Sequence, residues 1–115
     1  MIKIYHLGTC STCKRIIKEL APGPETVFQD IKNEPITPQQ IEKMREVAGS
    51  YEQLFNRRAM KYRALGLNEK TLKEEDYKNY ILKEYTFLKR PVIIVDEQIF
   101  VGNSPKVVAA AKAAF

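Results

Sequence analysis

Residues 1–20, MIKIYHLGTCSTCKRIIKEL, decide how the chain folds. Ile2, Ile4 and Tyr5 suit a short buried strand, and the loop His6-Leu7-Gly8-Thr9 follows it. Cys10 comes next, and Cys13 to Leu20 read as a helix with Ile16, Ile17 and Leu20 on one face. Strand, loop, Cys-x-x-Cys, helix puts the Cys10 sulfur at the positive end of a helix, among N–H groups that lack intrahelical partners. A thiolate is stabilised there and a thiol is not, so the pKa is expected below the roughly 8.5 of a free cysteine. Lys14 and Arg15, one turn on, add positive charge. Cys13 is close enough in sequence to attack a sulfur bonded to Cys10. The stretch reads as an attacking thiol with a resolving partner.

Working outward, Ala21-Pro22-Gly23-Pro24 ends the first helix and begins a turn. Glu25 to Asp30 predicts a second strand that Ile31 could extend, and Lys32 to Pro35 a loop. Thr37-Pro38-Gln39-Gln40 carries capping-box spacing with proline at the first helical position. The helix it starts has Ile41, Met44 and Val47 as its buried stripe and closes at Gly49. Tyr51 to Asn56 and Arg58 to Leu65 predict short helical pieces, ended by Gly66-Leu67-Asn68. From Glu74 to Glu84 a longer helix carries Tyr77, Tyr80, Ile81 and Tyr85 at helical spacing, a packing stripe.

Beyond residue 90 the pattern changes. Val92-Ile93-Ile94-Val95 is a β-branched run suited to a central strand, and Asp96-Glu97 turns it into Gln98-Ile99-Phe100-Val101 as a hairpin. Gly102-Asn103 breaks the hairpin, and Ser104-Pro105 starts a last helix with Val107, Val108, Ala111 and Phe115 facing inward. The order is β-α-β, several helices, then β-β-α. That is the thioredoxin-like α/β order, with a mixed four-stranded sheet and an all-helical insertion over about residues 37–88. A run of about fifty residues of short helices would struggle to hold a core alone, so the 115 residues predict one domain with an elaboration.

Bulk properties narrow the function classes. No apolar run is long enough to span a bilayer, and the N-terminus lacks signal-peptide features, so a cytoplasmic protein with no membrane partner is expected. In that compartment two cysteines point to catalysis or redox sensing rather than a permanent staple. The net charge of +5 is spread through helical segments, which reads as a solvated surface or attraction for anionic partners. No recognition-helix or aromatic-basic motif argues for direct nucleic-acid binding. A zinc site would want four ligands, and His6 is the only histidine, so no metal is expected.

Three blocks, YHLGTCSTCK, NRRAMKYRALGL and LKRPVIIV, resemble the arsenate reductase family (the ArsC and Spx group), and the similarity covers essentially the whole chain. The resemblance implies a thioredoxin-like domain with a helical insertion, a nucleophile at Cys10, and an arginine-proline pair at Arg90-Pro91 with Pro91 cis and facing the cysteine loop. It also implies an oxyanion held by arginines. Arg90 matches one of the three in the glutaredoxin-coupled reductases, and Arg57 or Arg58 stands in for another. The third falls where this chain has Gly102, as in Spx-type members. His6 resembles the reductases, whereas Cys13 resembles Spx-type proteins, which usually continue past the last helix with a charged tail; this chain stops at Phe115.

Two functions are therefore expected. In the first, an arsenate reductase-like thiol-disulfide oxidoreductase, Cys10 attacks a small oxyanion or a disulfide, Arg90 and Arg58 hold the anion, and Cys13 or glutathione resolves the adduct. His6 and Thr12 are candidates for oxyanion binding or tuning, and Pro91 is structural near the site. The reductant would be glutathione with glutaredoxin, or thioredoxin, with no bound cofactor. In the second, an Spx-type redox-sensing regulator docks on RNA polymerase with Cys10 and Cys13 as the switch. Duller readings stand beside these: inert buried thiols, His6 packed at a strand end, Arg58 on a helix surface, and a structural Arg90.

Overall fold

A computed structural model describes residues 1–115. Its elements are β1 (Ile2–His6), α1 (Ser11–Leu20), β2 (Val27–Asp30), α2 (Pro38–Ala48), α3 (Met60–Ala64), α4 (Glu74–Lys83), β3 (Val92–Val95), β4 (Gln98–Val101) and α5 (Pro105–Ala114). Short 3-10 turns lie at Glu52–Leu54, Leu67–Glu69 and Tyr85–Phe87. The chain gathers into two compact units, residues 1–35 with 90–115, and residues 36–89.

The first unit carries a mixed four-stranded sheet in the order β2-β1-β3-β4. β1 runs parallel to β2 and antiparallel to β3, and β3 and β4 form the expected hairpin. Its turn residue Asp96 has φ +52, a conformation that aspartate tolerates better than most side chains. This is a thioredoxin-like α/β arrangement. Ile4, Ile93 and Val95 share one sheet face and pack with Ile16 and Leu20 of α1 and Val108 and Ala111 of α5. Ile4, Ile16 and Ile93 are at most 1% exposed, and burying each contributes roughly 1.5–3 kcal/mol. The buried face of α1 follows from its i, i+4 spacing, and the exposed faces of α1 and α5 carry their lysines.

The second unit is helical. Thr37 caps α2 as its sequence predicts: its hydroxyl accepts from the Gln40 N–H at 3.1 Å, and Gln40 Oε1 accepts from the Thr37 N–H at 3.1 Å. The Glu74 carboxylate accepts from the N–H groups of Tyr51 and Glu52 and so covers the start of the 52–54 turn. Phe55 is the hub of an aromatic cluster, with Tyr77 at 5.0 Å, Phe87 at 5.1 Å and Tyr62 at 5.8 Å between ring centroids. Phe55 and Leu88 form a β-bridge, flanked by Asn56 N–H to Phe87 C=O and Lys89 N–H to Leu54 C=O. The tyrosine stripe does pack, with Tyr77 and Ile81 buried and Tyr80 edge-on to Phe87.

Several boundaries and faces differ from the sequence reading. α1 begins at Ser11, which makes Cys10 its N-cap. β2 begins at Val27, because Thr26 is held in a turn by its N–H bond to the Gly23 carbonyl. The piece expected over 51–56 is a single 3-10 turn, and that expected over 58–65 narrows to the five residues of α3. Tyr85 falls in a separate turn after α4, where the Glu84 cap leaves helical geometry. Val47 is 43% exposed and Phe115 40%, so neither belongs to the core. Val47 lies one residue before the end of α2, and Phe115 is the residue just after α5.

Candidate active site

The site is built from the β1–α1 junction and the residues leading into β3, all in the first unit. A tight turn after β1, closed by the Cys10 N–H to Leu7 C=O bond at 3.0 Å, delivers Cys10 to the start of α1. The Cys10 carbonyl accepts the first helical bond, from Lys14 N–H at 3.1 Å. Cys10 adopts extended backbone angles, φ -87 and ψ 115. The carboxylate of Asp30, at the end of β2, accepts from Gly8 N–H at 3.3 Å, from Lys32 N–H and from the Asn33 amide. Asp30 thus ties the loop before Cys10 to the end of the neighbouring strand, a contact across 22 residues that no local pattern in the sequence announces.

The two thiols are free and differently placed: Cys10 is partly exposed, and Cys13 is fully buried. Partial burial pushes the Cys10 thiol up, but the Cys13 N–H, the Cys13 thiol, the Thr12 N–H and the Arg90 charge together hold it below the ordinary cysteine value. Burial dominates at Cys13, and with the neighbouring Cys10 it pushes that thiol up to about 11, against the opposing pull of the Leu7 backbone and Arg90. Deeper burial of Cys13 and the hydrogen bonds to Cys10 thus make two like groups unlike. Cys10 is the more acidic of the two thiols and Cys13 the less acidic.

Arg90 is half-buried and its charge bears on both sulfurs. The Arg90–Pro91 bond is cis, and the Pro91 carbonyl accepts from the Gly102 N–H at 2.9 Å. Gly102 has φ +96, a conformation that a side-chain-bearing residue rarely adopts. Thr12 contributes its backbone N–H to the cysteine turn. His6, half-buried at the end of β1, packs its ring edge-on against Phe28 with 5.7 Å between centroids.

The remaining candidates lie in the second unit. Arg57 is committed there: its guanidinium donates to Glu52 at 2.7 Å and to the Tyr77 hydroxyl at 2.9 Å. Arg58 is exposed, with its backbone N–H on the Asn56 side-chain oxygen. Of the two adjacent arginines, Arg58 is the one whose charged end is not already engaged. No group of three or more metal-ligating side chains is present, and no helix is long and apolar enough to cross a membrane.

The ArsC family profile matches residues 5–111. The chain belongs to the ArsC family. Within it, the chain is 28% identical over 105 residues to the uncharacterized protein YusI of Bacillus subtilis, covering 88% of this chain and 89% of that one. The arsenate reductase (ArsC) related protein of Brucella melitensis has a similar structure, with a TM-score of 0.73 at 25% identity, covering 95% of this chain and 92% of that one. The arsenate reductase of Vibrio cholerae shares the ArsC fold at a TM-score of 0.80, with 16% identity and 96% of each chain covered.

Proposed function

We propose that this ArsC-family protein is an arsenate reductase-like thiol-disulfide oxidoreductase with Cys10 as nucleophile and Cys13 as resolving thiol. The observation that carries the reading is the opposed tuning of the two sulfurs on one helical turn, Cys10 lowered and Cys13 raised. On arsenate, the Cys10 thiolate displaces hydroxide from arsenic and forms a sulfur–arsenic bond. Cys13, deprotonated as it reacts, attacks the Cys10 sulfur; the sulfur–arsenic electron pair leaves with arsenic, which falls from the +5 to the +3 state. The two thiols become a disulfide. On a disulfide substrate the same attack yields a mixed disulfide that Cys13 resolves.

In this reading Arg90 and Arg58 hold the anion, with His6 and Thr12 as anion-binding or tuning groups and Pro91 structural beside them. The first and second units act as one domain, the second being the helical insertion. Glutathione with glutaredoxin, or thioredoxin, returns the disulfide to dithiol in the cytoplasm. The test is arsenate reduction coupled separately to each reductant, with wild type, Cys10→Ser and Cys13→Ser side by side. Turnover that survives in Cys10→Ser would overturn the assignment. Loss in Cys13→Ser with thioredoxin alone would place resolution within the chain.

One observation favours a second reading. Gly102, at the position of the third arginine of glutaredoxin-coupled reductases, is in a left-handed conformation that an arginine would resist. With Cys13 this suits an Spx-type redox switch that docks on RNA polymerase. Co-purification with polymerase subunits in reducing buffer, lost on oxidation, would support it. Reversible Cys10–Cys13 disulfide formation without arsenate turnover would point the same way.

A further inference from the structure

A groove of about 460 Å³ runs beside the cysteine turn, lined by His6, Gly8, Lys14, Ile17, Lys18 and Phe28. It starts at the loop that delivers Cys10 and follows one flank of α1 towards β2. Phe28 sits opposite Ile4 in the parallel β1–β2 register, which places it on the α1 side of the sheet, and it is 44% exposed. Phe28 and Ile17 give the groove an apolar lining, with the His6 ring packed against Phe28. Lys14 and Lys18, one helical turn apart, stand on its rim, and neither ammonium is in an ion pair. No carboxylate lines it, and that of Asp30, which meets the lining residue Gly8, is occupied by Gly8, Lys32 and Asn33.

We infer that this groove docks an acidic, extended segment of a disulfide-bearing protein partner, seating an apolar side chain on Phe28 and Ile17 and carboxylates on Lys14 and Lys18. The inference rests on the proposed thiol-exchange chemistry at Cys10 and names the partner surface for it. Three features favour a peptide segment. The groove is open along its length. Its charge complements carboxylates. Phe28 stands on β2, an edge strand of the sheet whose outer backbone groups can pair with an extended chain.

The test uses the full chain carrying Cys13→Ser, so that only the first exchange is read. The Cys10 thiolate attacks one sulfur of the probe, a protein–probe disulfide forms, and the other half leaves as a thiolate. The probes are the homodimeric disulfides of acetyl-Glu-Phe-Cys-Glu-amide and acetyl-Lys-Phe-Cys-Lys-amide, with uncharged 2-hydroxyethyl disulfide as the reference. Dividing each peptide rate by the reference rate in the same variant removes changes in intrinsic Cys10 reactivity. At low salt the acidic peptide is expected to outrun the basic one by roughly tenfold on this scale, and the gap should shrink in high salt. Lys14→Glu/Lys18→Glu should reduce it to below about twofold, whereas Lys106→Glu/Lys112→Glu on α5, with the same change in net charge, should leave it. Phe28→Ser should slow both peptides relative to the reference in high salt. Equal losses in the two lysine double variants would show a net-charge effect and overturn the groove. So would no loss in the groove variant. Failure of Cys10 to react even with 2-hydroxyethyl disulfide would instead sink the thiol-exchange reading, and the groove's role with it.

Discussion

Gly8 and Asp30 meet so closely that a side chain on Gly8 would have to displace the carboxylate: the Asp30 carboxylate accepts the Gly8 N–H at 3.3 Å, and a Cβ on Gly8 would lie 2.6 Å from Asp30 Oδ2. The reason is space, since the conflict is with a side chain two strands' ends apart and not with the glycine's own backbone angles. This contact ties the turn before Cys10 to the end of β2, so the loop that delivers Cys10 is anchored by a residue outside the cysteine motif.

Gly8→Ala should therefore push the Asp30 carboxylate aside and lose its bond to the loop. A hydrogen bond to a charged group contributes about 1.5–3 kcal/mol, so a loss of that order in urea denaturation is expected. The diagnostic is a double-mutant cycle with Asp30→Ala. Once the carboxylate is gone, Gly8→Ala should cost much less. Equal costs in both backgrounds would show that the glycine is required for some other reason.

Cys13 gives an alkaline signature. Its pKa is raised to about 11 in the folded chain by burial, with Cys10 adding to the rise, against a value of roughly 8.5 for an unfolded cysteine. Between those values the unfolded state gives up a proton that the folded state keeps, so stability falls as pH rises through the window. Below it, Cys13 is protonated in both states and makes no difference. Tyr5, whose pKa burial also raises, contributes in the same direction at higher pH. Urea midpoints at pH 8 and pH 10 should fall further apart in wild type than in Cys13→Ala, which retains Tyr5. Identical pH dependence in the two proteins would show that Cys13 is not held protonated.

Arg90 bears on the Cys10 thiolate through its charge, so Arg90→Met should raise the Cys10 pKa. The readout is the pH dependence of iodoacetamide alkylation in the Cys13→Ser background. The variant's curve should shift towards higher pH, and the wild-type shift should weaken with added salt because Cys10 is partly exposed. Superimposed curves would assign the low pKa to the N–H groups of Thr12 and Cys13 alone.

How much of this was legible in the chain depends on the range of the signal. Thr37-Pro38 and Ser104-Pro105 are local cap signals and mark α2 and α5 correctly, with Ser104 accepting from Val107 N–H at 3.2 Å. The Val92–Val95 run and its turn gave the hairpin because β-branched composition and a short loop are enough. The sulfur at the helix start was readable for the same reason. Periodicity failed at Val47 and Phe115, because a stripe shows which face is apolar but not where the opposing surface stops. Adjacent Arg57 and Arg58 were indistinguishable in sequence; only the Glu52 and Tyr77 contacts separate them. Asp30 was legible only as a strand end, since its partner Gly8 lies 22 residues away and carries no side chain to betray the contact.

The cap of α2 tests the helical unit separately from the site. Thr37 and Gln40 each satisfy the other's backbone N–H, and Pro38 at the first helical position needs none. Thr37→Ala removes the acceptor for Gln40 N–H and should cost about 1 kcal/mol. Gln40→Ala removes the reciprocal bond at an exposed site, where water can replace it, and should cost less. The two losses should not add: without Thr37, the helix start frays and the Gln40 side chain has little ordered backbone to return to. Urea midpoints of the two single variants and the double variant give the coupling. Strict additivity would mean that the two hydrogen bonds form independently and that the box is not a cooperative unit. Because the box belongs to the second unit and the cysteine turn to the first, the alkylation profile of Cys10 should stay unchanged in all three variants.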